Sequence, residues 1–317
     1  MYNAEIKQKY LEQLKTGNQG RLNASYEATF NQSEAYEKQA DKDLGELHKD
    51  IIVSYLNNAS FINYQTAYAR AMTVNRYRSW YSHETGFPDC DWRPIDVQQD
   101  IDFVTACKTK LYTSFDEILE DLRAVDYDFL RGDEAAPAIC LAWLGFKVPE
   151  ILSLKNDCVN LQKGFITDET GAIIVKDMPA DILQVLRDYK SVKESYRILN
   201  GKQHVRQLDT GYFIHKMVRR NSTRGGKVLS GQLYDRLDDV KRQYEVQFGE
   251  GSCKLSPLEN VWTSGCFHRL YQLEKNGLDI YDKSNFPVLQ RVLQGAENKM
   301  YGTRYVYTQY KKAFNLE

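Results

Sequence analysis

Residues 145–161 read GFKVPEILSLKNDCVNL and overlap the end of an apolar run, EAAPAICLAWLGF, over residues 134–146. The apolar run has small or hydrophobic residues on nearly every side of a helix, which predicts a helix buried on all faces. It ends at Gly145-Phe146. Residues 159–175 then alternate around the turn Asp168-Glu169-Thr170-Gly171, which predicts a β-hairpin. The stretch therefore predicts a unit with a central buried helix followed by a hairpin.

The segments before this unit are predicted to be helical. Ser114 and Glu117 form a capping box ahead of an amphipathic helix. In the first hundred residues, apolar side chains recur at helical spacing in three stretches, namely Ile6 to Leu14, Tyr36 to Leu56 and Phe61 to Trp80. One helix in each stretch gives a small bundle. Residues 82–96 contain two prolines and a glycine without periodicity, which predicts a linker between domains.

The segments after the hairpin are also predicted to be mostly helical. Apolar spacing and terminal glycines predict helices at about 180–198, 230–247, 264–276 and 286–294. The fold class expected from the sequence is therefore mainly α, with an N-terminal helical bundle and a mostly helical C-terminal domain that contains a small β-hairpin or sheet.

Composition excludes several classes of protein. With 42% hydrophobic and 27% charged residues, the chain can form an ordinary core, so wholesale disorder is excluded. We expect a cytoplasmic protein without a membrane partner, because no apolar run approaches the ~18 residues of a membrane span and the start lacks a leader pattern. The six cysteines include no Cys-x-x-Cys pair, so we expect reduced thiols and neither a metal site nor a cofactor.

The net charge of −1 is unevenly distributed along the chain. Residues 1–150 carry 16 Lys and Arg against 24 Asp and Glu, whereas residues 151–317 carry 26 against 19. A polyanion contacted mainly by the second half fits this distribution, although a solvated basic face fits it equally well. The sequence contains no Walker-type loop, dinucleotide-binding glycine motif, His-Glu-x-x-His or nucleophile elbow.

Several segments together resemble the tyrosine recombinases, or phage integrases. In that family an apolar helix ends in Gly-Leu-Arg before a Glu-Leu-Leu-x-Leu helix and a hairpin, and here Gly145-Phe146-Lys147 precedes Glu150-Ile151-Leu152-Ser153-Leu154. Three later segments resemble the His-x-x-Arg helix, the Gly-His segment and the tyrosine segment of the family, in that order: WTSGCFHRLYQLEKNGLDI (262–280), FPVLQRVLQGA (286–296) and TRYVYTQYKKAF (303–314). The resemblance implies a helical, SAM-like core-binding domain over residues 1–95 and a catalytic-like domain over residues 96–317.

The resemblance also implies that the catalytic domain is inactive. The family's tyrosine attacks a DNA phosphate while arginine, lysine and histidine stabilise the charge that develops, so the identity of these residues matters. Asp168-Glu169 occupies the turn where the family has its lysine. Four further positions carry other residues: Lys147 for the first arginine, Thr263 and Cys266 for His-x-x-Arg, and Ala296 for the third histidine or tryptophan. Tyr307 is a vestigial nucleophile, or Tyr305 by spacing, and a shifted frame would use His268 and Arg269.

Binding of duplex DNA does not depend on the nucleophile, so DNA contacts are still expected. In the first domain the candidates lie on or beside one long helix: Asn63, Gln65, Arg70, Arg76 and Arg78. In the second domain they flank a basic stretch and the helix after it: Lys147, Arg219, Arg220, Arg224, Lys227, Gln232, Tyr234 and Arg236. Phosphate contacts by such residues would supply affinity, and base contacts would supply sequence choice.

A tyrosine recombinase scaffold with degenerate catalytic positions resembles a phage lysogeny repressor. We therefore expect a DNA-binding transcriptional repressor of a temperate phage, bound to double-stranded operator sites in the host nucleoid. A phage-encoded antagonist or inducer protein is a further candidate partner, and the oligomeric state stays open. Two alternatives are an active integrase with Tyr307 as the nucleophile and a protein-interaction module that has lost DNA binding.

Overall fold

The computed structural model describes residues 1–17, 24–88, 93–125, 133–198, 202–219, 227–293 and 300–316. Packing divides the chain into unit 1, Met1–Lys108 with Gly295–Glu317, and unit 2, Thr109–Gln294. Unit 1 therefore combines segments from before and after unit 2. These bounds differ from the predicted domains 1–95 and 96–317, and that division stays a prediction. Within the described ranges, every helix is too short or too polar to cross a bilayer.

Unit 1 is helical. Its described helices are α1 Ala4–Gly17, α2 Ala24–Ala40, α3 Lys49–Asn58, α4 Tyr64–Thr85, α5 Val97–Asp100, α6 Phe103–Lys110 (whose end crosses the unit boundary) and α14 Met300–Phe314. The predicted helices ending at Gly17 and covering Phe61 to Trp80 are confirmed as α1 and α4. The single helix predicted from Tyr36 to Leu56 is wrong, because the chain turns between Ala40 and Lys49.

Side chains stabilise the turn at residues 41–48. Asp41 has a positive φ of 50°, and the carboxylates of Glu37 and Asp43 accept hydrogen bonds from backbone amides inside the turn. Buried Lys7 donates to Glu37, and the Tyr77 hydroxyl donates to Asp43 at 2.9 Å. These contacts replace helical backbone hydrogen bonds, so apolar residues of the turn reach the core without a continuous helix.

Helix α14 packs against α4 within unit 1. A Cβ added to Gly302 would lie 2.8 Å from Cδ1 of Tyr64, so the two helices meet where only a glycine fits. The Tyr305 ring contacts Tyr64 and Phe103 at centroid distances of 5.5 and 5.7 Å. The tyrosine segment therefore belongs to the core of unit 1.

Unit 2 is built around the predicted central helix. Its described helices are α7 Phe115–Ala124, α8 Ala135–Trp143, α9 Val148–Ser153, α10 Ala180–Ser191, α11 Ser230–Phe248, α12 Leu258–Lys275 and α13 Phe286–Leu293. All nine residues of α8 are buried, as predicted. Helices α10, α11 and α12 pack against α8. At Gly265 the α12 backbone comes so close that an added Cβ would lie 2.0 Å from the Trp143 carbonyl oxygen.

Two three-stranded antiparallel sheets complete unit 2. The first has the order β1 Val159–Asn160, β2 Phe165–Thr167, β3 Ile173–Val175, which confirms the predicted hairpin. The second has the order β4 Glu194–Ile198, β5 Lys202–Leu208, β6 Lys216–Arg219. This second sheet was not predicted, and the helix expected at 180–198 ends at Ser191 because the chain enters β4.

Candidate nucleic-acid interface

Two of the first set of predicted DNA contacts, Gln65 and Arg76, lie on the exposed face of α4. Asn63 is the N-cap of α4, and its side-chain oxygen accepts a hydrogen bond from the Thr66 amide at 3.2 Å. Gln65 and Arg76 are eleven residues apart, about three helical turns, so they lie on the same face. Tyr68 between them is 47% exposed. The face thus combines an amide, an aromatic ring and a guanidinium in contact with solvent.

Arg70 and Arg76 contact neutral acceptors. Arg76 Nη1 donates to the Tyr26 hydroxyl at 3.3 Å, and this hydrogen bond raises the pKa of Arg76. Arg70 Nη1 donates to Gln32 and, at 3.3 Å, to the Tyr55 hydroxyl. Across the part of the chain that the structure describes, neither guanidinium forms an ion pair with a carboxylate, whereas Lys38 lies 2.9 Å from Glu34. Both arginines therefore keep a positive charge that an anion can neutralise.

Arg78 corrects the prediction for this helix. Its side chain is 7% exposed, and Nη1 donates to the carbonyl oxygens of Leu44, at 3.4 Å, and Leu47. Arg78 therefore stabilises the turn at 41–48, and the prediction that it contacts DNA is wrong. Helical spacing contained the signal, because Arg78 follows buried Val74 by four residues and shares its face.

The second set of predicted contacts is only partly available. Arg236 Nη1 lies 2.7 Å from Asp239 Oδ2 and its side chain is 11% exposed, so the structure contradicts a free cation at this position. Gln232 accepts a hydrogen bond from the Leu229 amide at 3.1 Å, at the start of α11. The Tyr234 side chain is 38% exposed. The burial of its remaining surface and the nearby Glu259 carboxylate raise the pKa of its hydroxyl. Arg220 and Arg224, as well as the side chain of Arg219, lie outside the described residues.

Two of the positions that the resemblance assigns to catalytic residues, Lys147 and Cys266, make contacts within unit 2. Lys147 is the N-cap of α9, and its Nζ lies 5.2 Å from the ring centroid of Trp262. Trp262 Nε1 donates to the Gly145 carbonyl oxygen at 2.9 Å. Cys266 is buried, its Sγ donates to the Val292 carbonyl oxygen at 3.3 Å, and burial raises the pKa of its thiol to about 11. Thr263 lies half-buried on α12, and Ala296 lies outside the described residues.

The residues of the shifted frame, His268 and Arg269, also form hydrogen bonds within unit 2. Arg269 Nη1 donates to the Trp143 carbonyl oxygen, and Nη2 lies 3.3 Å from Cys266 Sγ. The guanidinium also takes the space beside Gly145, where an added Cβ would lie 2.8 Å from Nη2. His268 Nδ1 lies 2.9 Å from the Thr113 carbonyl oxygen, to which it donates. Both side chains therefore stabilise unit 2 by hydrogen bonds to backbone carbonyl oxygens.

The side chains of the two candidate nucleophiles, Tyr307 and Tyr305, lie in different environments. The Tyr307 side chain on α14 is fully buried, and its ring stacks on Tyr310 at a centroid distance of 6.3 Å. The Tyr305 hydroxyl donates to the Gln98 carbonyl oxygen at 3.0 Å. In this conformation a DNA phosphate cannot reach the oxygen of Tyr307.

Comparison with known families finds a similarity in the first part of the chain. Residues 1–83 match the family model described as MrpR, N-terminal core-binding domain. Residues 1–83 are therefore similar to this domain, and we refer to them as the MrpR-type domain. This match confirms the resemblance for that segment. The MrpR-type domain contains α1 to α3 and nearly all of α4, and with them Gln65, Arg70 and Arg76.

Solved structures of recombinases are similar over nearly the whole chain. The crystal structure of XerA recombinase covers 98% of both chains, at 15% identity and a TM-score of 0.39. A structure of the Tn1549 transposon integrase in complex with circular intermediate DNA covers 95% of this chain and 94% of that one, at 13% identity and a TM-score of 0.41. Similarity at this level transfers no residue role to this chain. No curated protein matches the sequence.

Proposed function

We propose that the protein is a sequence-specific DNA-binding repressor that maintains lysogeny of a temperate phage, built on a tyrosine recombinase scaffold that no longer exchanges strands. The observation that carries the proposal is the exposed face of α4, where Gln65 and Arg76 share one side of an MrpR-type core-binding domain. Double-stranded operator DNA in the host nucleoid is the proposed partner. A phage-encoded antagonist or inducer would act on this complex.

The chemistry of the α4 face fits duplex DNA. Arg76 carries a charge without a carboxylate partner among the described residues, which suits a phosphate or the O6 and N7 acceptors of guanine. Gln65 can form paired hydrogen bonds with adenine, and the exposed Tyr68 ring offers an apolar contact. A purely electrostatic surface would bind all sequences alike, whereas this mixture can discriminate between them.

The proposed loss of catalysis has support in unit 2. Stabilising a phosphoryl transition state requires donors aimed at the phosphate, and removing one such donor costs about 10²–10³ in rate. Arg269 instead donates to a backbone carbonyl, Cys266 stands at the arginine position of His-x-x-Arg, and Lys147 lies against Trp262. With the hydroxyl of Tyr307 buried in unit 1, the expected rate of strand cleavage is negligible.

Selection from a random duplex library tests sequence-specific binding. The wild-type protein should enrich one recurring motif. Arg76→Ala should weaken binding to it about 5- to 150-fold, the range for an arginine that contacts a base edge. Lys38→Ala is the matched control, because Lys38 is exposed in the same unit but paired with Glu34. Absence of enrichment would reject the repressor and favour the protein-interaction module.

Covalent trapping tests the loss of catalysis separately. The selected duplex, carrying a bridging phosphorothiolate at each scissile candidate, is incubated with wild type and with Tyr307→Phe and analysed under denaturing conditions. We expect no protein–DNA adduct with either protein and equal binding by both. An adduct that disappears in Tyr307→Phe would show an active integrase instead.

A further inference from the structure

Two lysines of unit 2 approach one tyrosine ring. Lys155 Nζ lies 3.7 Å from the ring centroid of Tyr212, and Lys227 Nζ lies 6.0 Å from the same centroid. The two ammonium groups are therefore at most about 10 Å apart. Phosphates on one DNA strand follow each other at about 3.4 Å along the helix axis, so this distance spans two to three phosphates. Sequence patterns indicate Lys227 as a DNA contact but indicate neither Lys155 nor Tyr212.

Backbone pairing fixes this arrangement. Lys155 and Tyr212 form an isolated antiparallel β-bridge. On either side of it, the Asn156 amide donates to the Gly211 carbonyl oxygen at 3.0 Å, and the Phe213 amide donates to the Leu154 carbonyl oxygen at 2.8 Å. The short ladder holds Lys155 beside the ring, and the cation–π contact keeps the ammonium over its face.

A half-buried lysine, Lys190, ties the same two segments to α10. Lys190 Nζ donates to Asn156 Oδ1 at 2.6 Å and to the Phe213 carbonyl oxygen at 3.0 Å, and it lies 2.8 Å from His215 Nε2. Burial lowers the pKa of Lys190 to about 8, and burial together with Lys190 lowers the pKa of His215. The platform under Tyr212 is therefore built from hydrogen bonds that do not use Lys155 or Lys227.

The charges of half-buried Lys155 and exposed Lys227 lack a carboxylate partner among the described residues. In the ranges that the structure describes, Lys155 and Lys227 form no ion pair, whereas Lys241 lies 3.9 Å from Glu245. Asp209, the nearby carboxylate, accepts hydrogen bonds from the Gly211 amide and from Asn156 Nδ2. Two ammonium groups beside one ring, one half-buried and one exposed, favour a ligand with regularly spaced negative charges.

We infer that Lys155 and Lys227, positioned by Tyr212, form a phosphate-binding site of unit 2 whose ligand is the phosphodiester backbone of DNA. The inference rests on the proposed function, since it places a second DNA contact outside the MrpR-type domain. Contacts of this kind supply affinity without sequence information, so the site would complement the α4 face.

Salt titration of DNA binding tests the site. Each phosphate contact contributes about 0.9 to the slope of log affinity against log salt, so Lys155→Ala with Lys227→Ala should lower the slope by about 1.8. Between 50 and 200 mM salt, the double variant should lose about 12-fold less affinity than wild type. Lys241→Ala is the matched control, because that lysine is paired in the same unit, and its slope should equal the wild-type slope.

Substitutions of Tyr212 test the positioning. Tyr212→Phe keeps the ring and should keep the wild-type slope, whereas Tyr212→Leu removes the ring face and should lower both slope and affinity. Circular dichroism verifies that each variant is folded. Lys155→Arg retains the positive charge, so it should keep the wild-type salt slope if a backbone phosphate is the ligand. Equal slopes for Tyr212→Leu and wild type would overturn the role of the ring.

The outcomes separate this inference from the proposed function. Wild-type binding to the selected duplex with an unchanged slope in the double lysine variant would overturn the site and leave the repressor intact. No DNA binding by wild type would reject the repressor first. Calorimetric titration with inorganic phosphate at constant ionic strength should show no binding that depends on Lys155 and Lys227. Micromolar phosphate binding there would replace the DNA backbone with a free anion as ligand.

Discussion

Replacing Gly265 by alanine should destabilise unit 2, because α8 and α12 make their closest backbone contact at this glycine. The added Cβ would lie 2.0 Å from the carbonyl oxygen of Trp143, 2.8 Å from its carbonyl carbon and 2.9 Å from its Cα. All three are backbone atoms, so no side-chain rotation relieves the clash. Reaching an ordinary contact of about 3.4 Å requires the helices to separate by about 1.4 Å, and such overpacking costs about 1–3 kcal/mol or more.

Thermal unfolding followed by circular dichroism measures the effect. For a chain of this size each kcal/mol lowers Tm by about 2–4 °C, so Gly265→Ala should lower Tm by about 2–12 °C. Gly231→Ala is the matched control. Gly231 is helical, an added Cβ there meets nothing within 4 Å, and alanine should stabilise that helix by about 0.4–1 kcal/mol. Equal melting temperatures for Gly265→Ala and wild type would refute the argument from helix contact.

Three further predictions concern stability. Arg78→Met should lower the free energy of unfolding of unit 1 by about 1–3 kcal/mol, because the carbonyl oxygens of Leu44 and Leu47 lose a buried donor. Urea titration measures this change. In the control Arg76→Met, the free energy of unfolding should stay within about 0.5 kcal/mol of wild type. The pKa of His215 is lowered in the fold, so its contribution to folding stability is complete above the ordinary histidine pKa of about 6.5 and declines as the pH falls below it. The free energy of unfolding of His215→Gln should therefore decrease less between pH 7 and 5.5 than that of wild type. An equal decrease would assign the pH dependence to other groups. Gly302→Ala should destabilise the contact of α14 with Tyr64, seen as faster amide hydrogen exchange in α14, and unchanged exchange would contradict that close contact.

Local patterns in the sequence predicted most of the helices but not the chain reversals between them. The buried helix α8 and the helix α4 follow directly from apolar spacing. The turn at 41–48 escaped prediction, because Leu44 and Leu47 keep helical spacing while Glu37 and Asp43 satisfy the backbone of a turn. The second sheet escaped as well, since its strands lie in a basic stretch without clear alternation.

The candidate site was predictable only where the signal is local. Burial of Arg78 follows from its position four residues after Val74, and the pairing of Arg236 with Asp239 follows from their i,i+3 spacing. The contact between Lys155 and Tyr212 has no such signal, because it depends on a β-bridge between segments that are distant in sequence. Burial of the Tyr307 side chain likewise depends on the packing of α14 in unit 1.

The packing of α14 with α4 also has a consequence during protein synthesis. Unit 1 contains residues from both sides of unit 2, so it is incomplete until the ribosome has passed residue 300. At 5–20 residues per second, about 10–40 s separate the synthesis of α6 from that of α14. During this interval unit 2 can fold while Tyr64 lacks the helix that covers it. A nascent or C-terminally clipped chain therefore has an incomplete α4 surface, and protease removal of α14 would expose the Tyr64 ring that α14 covers.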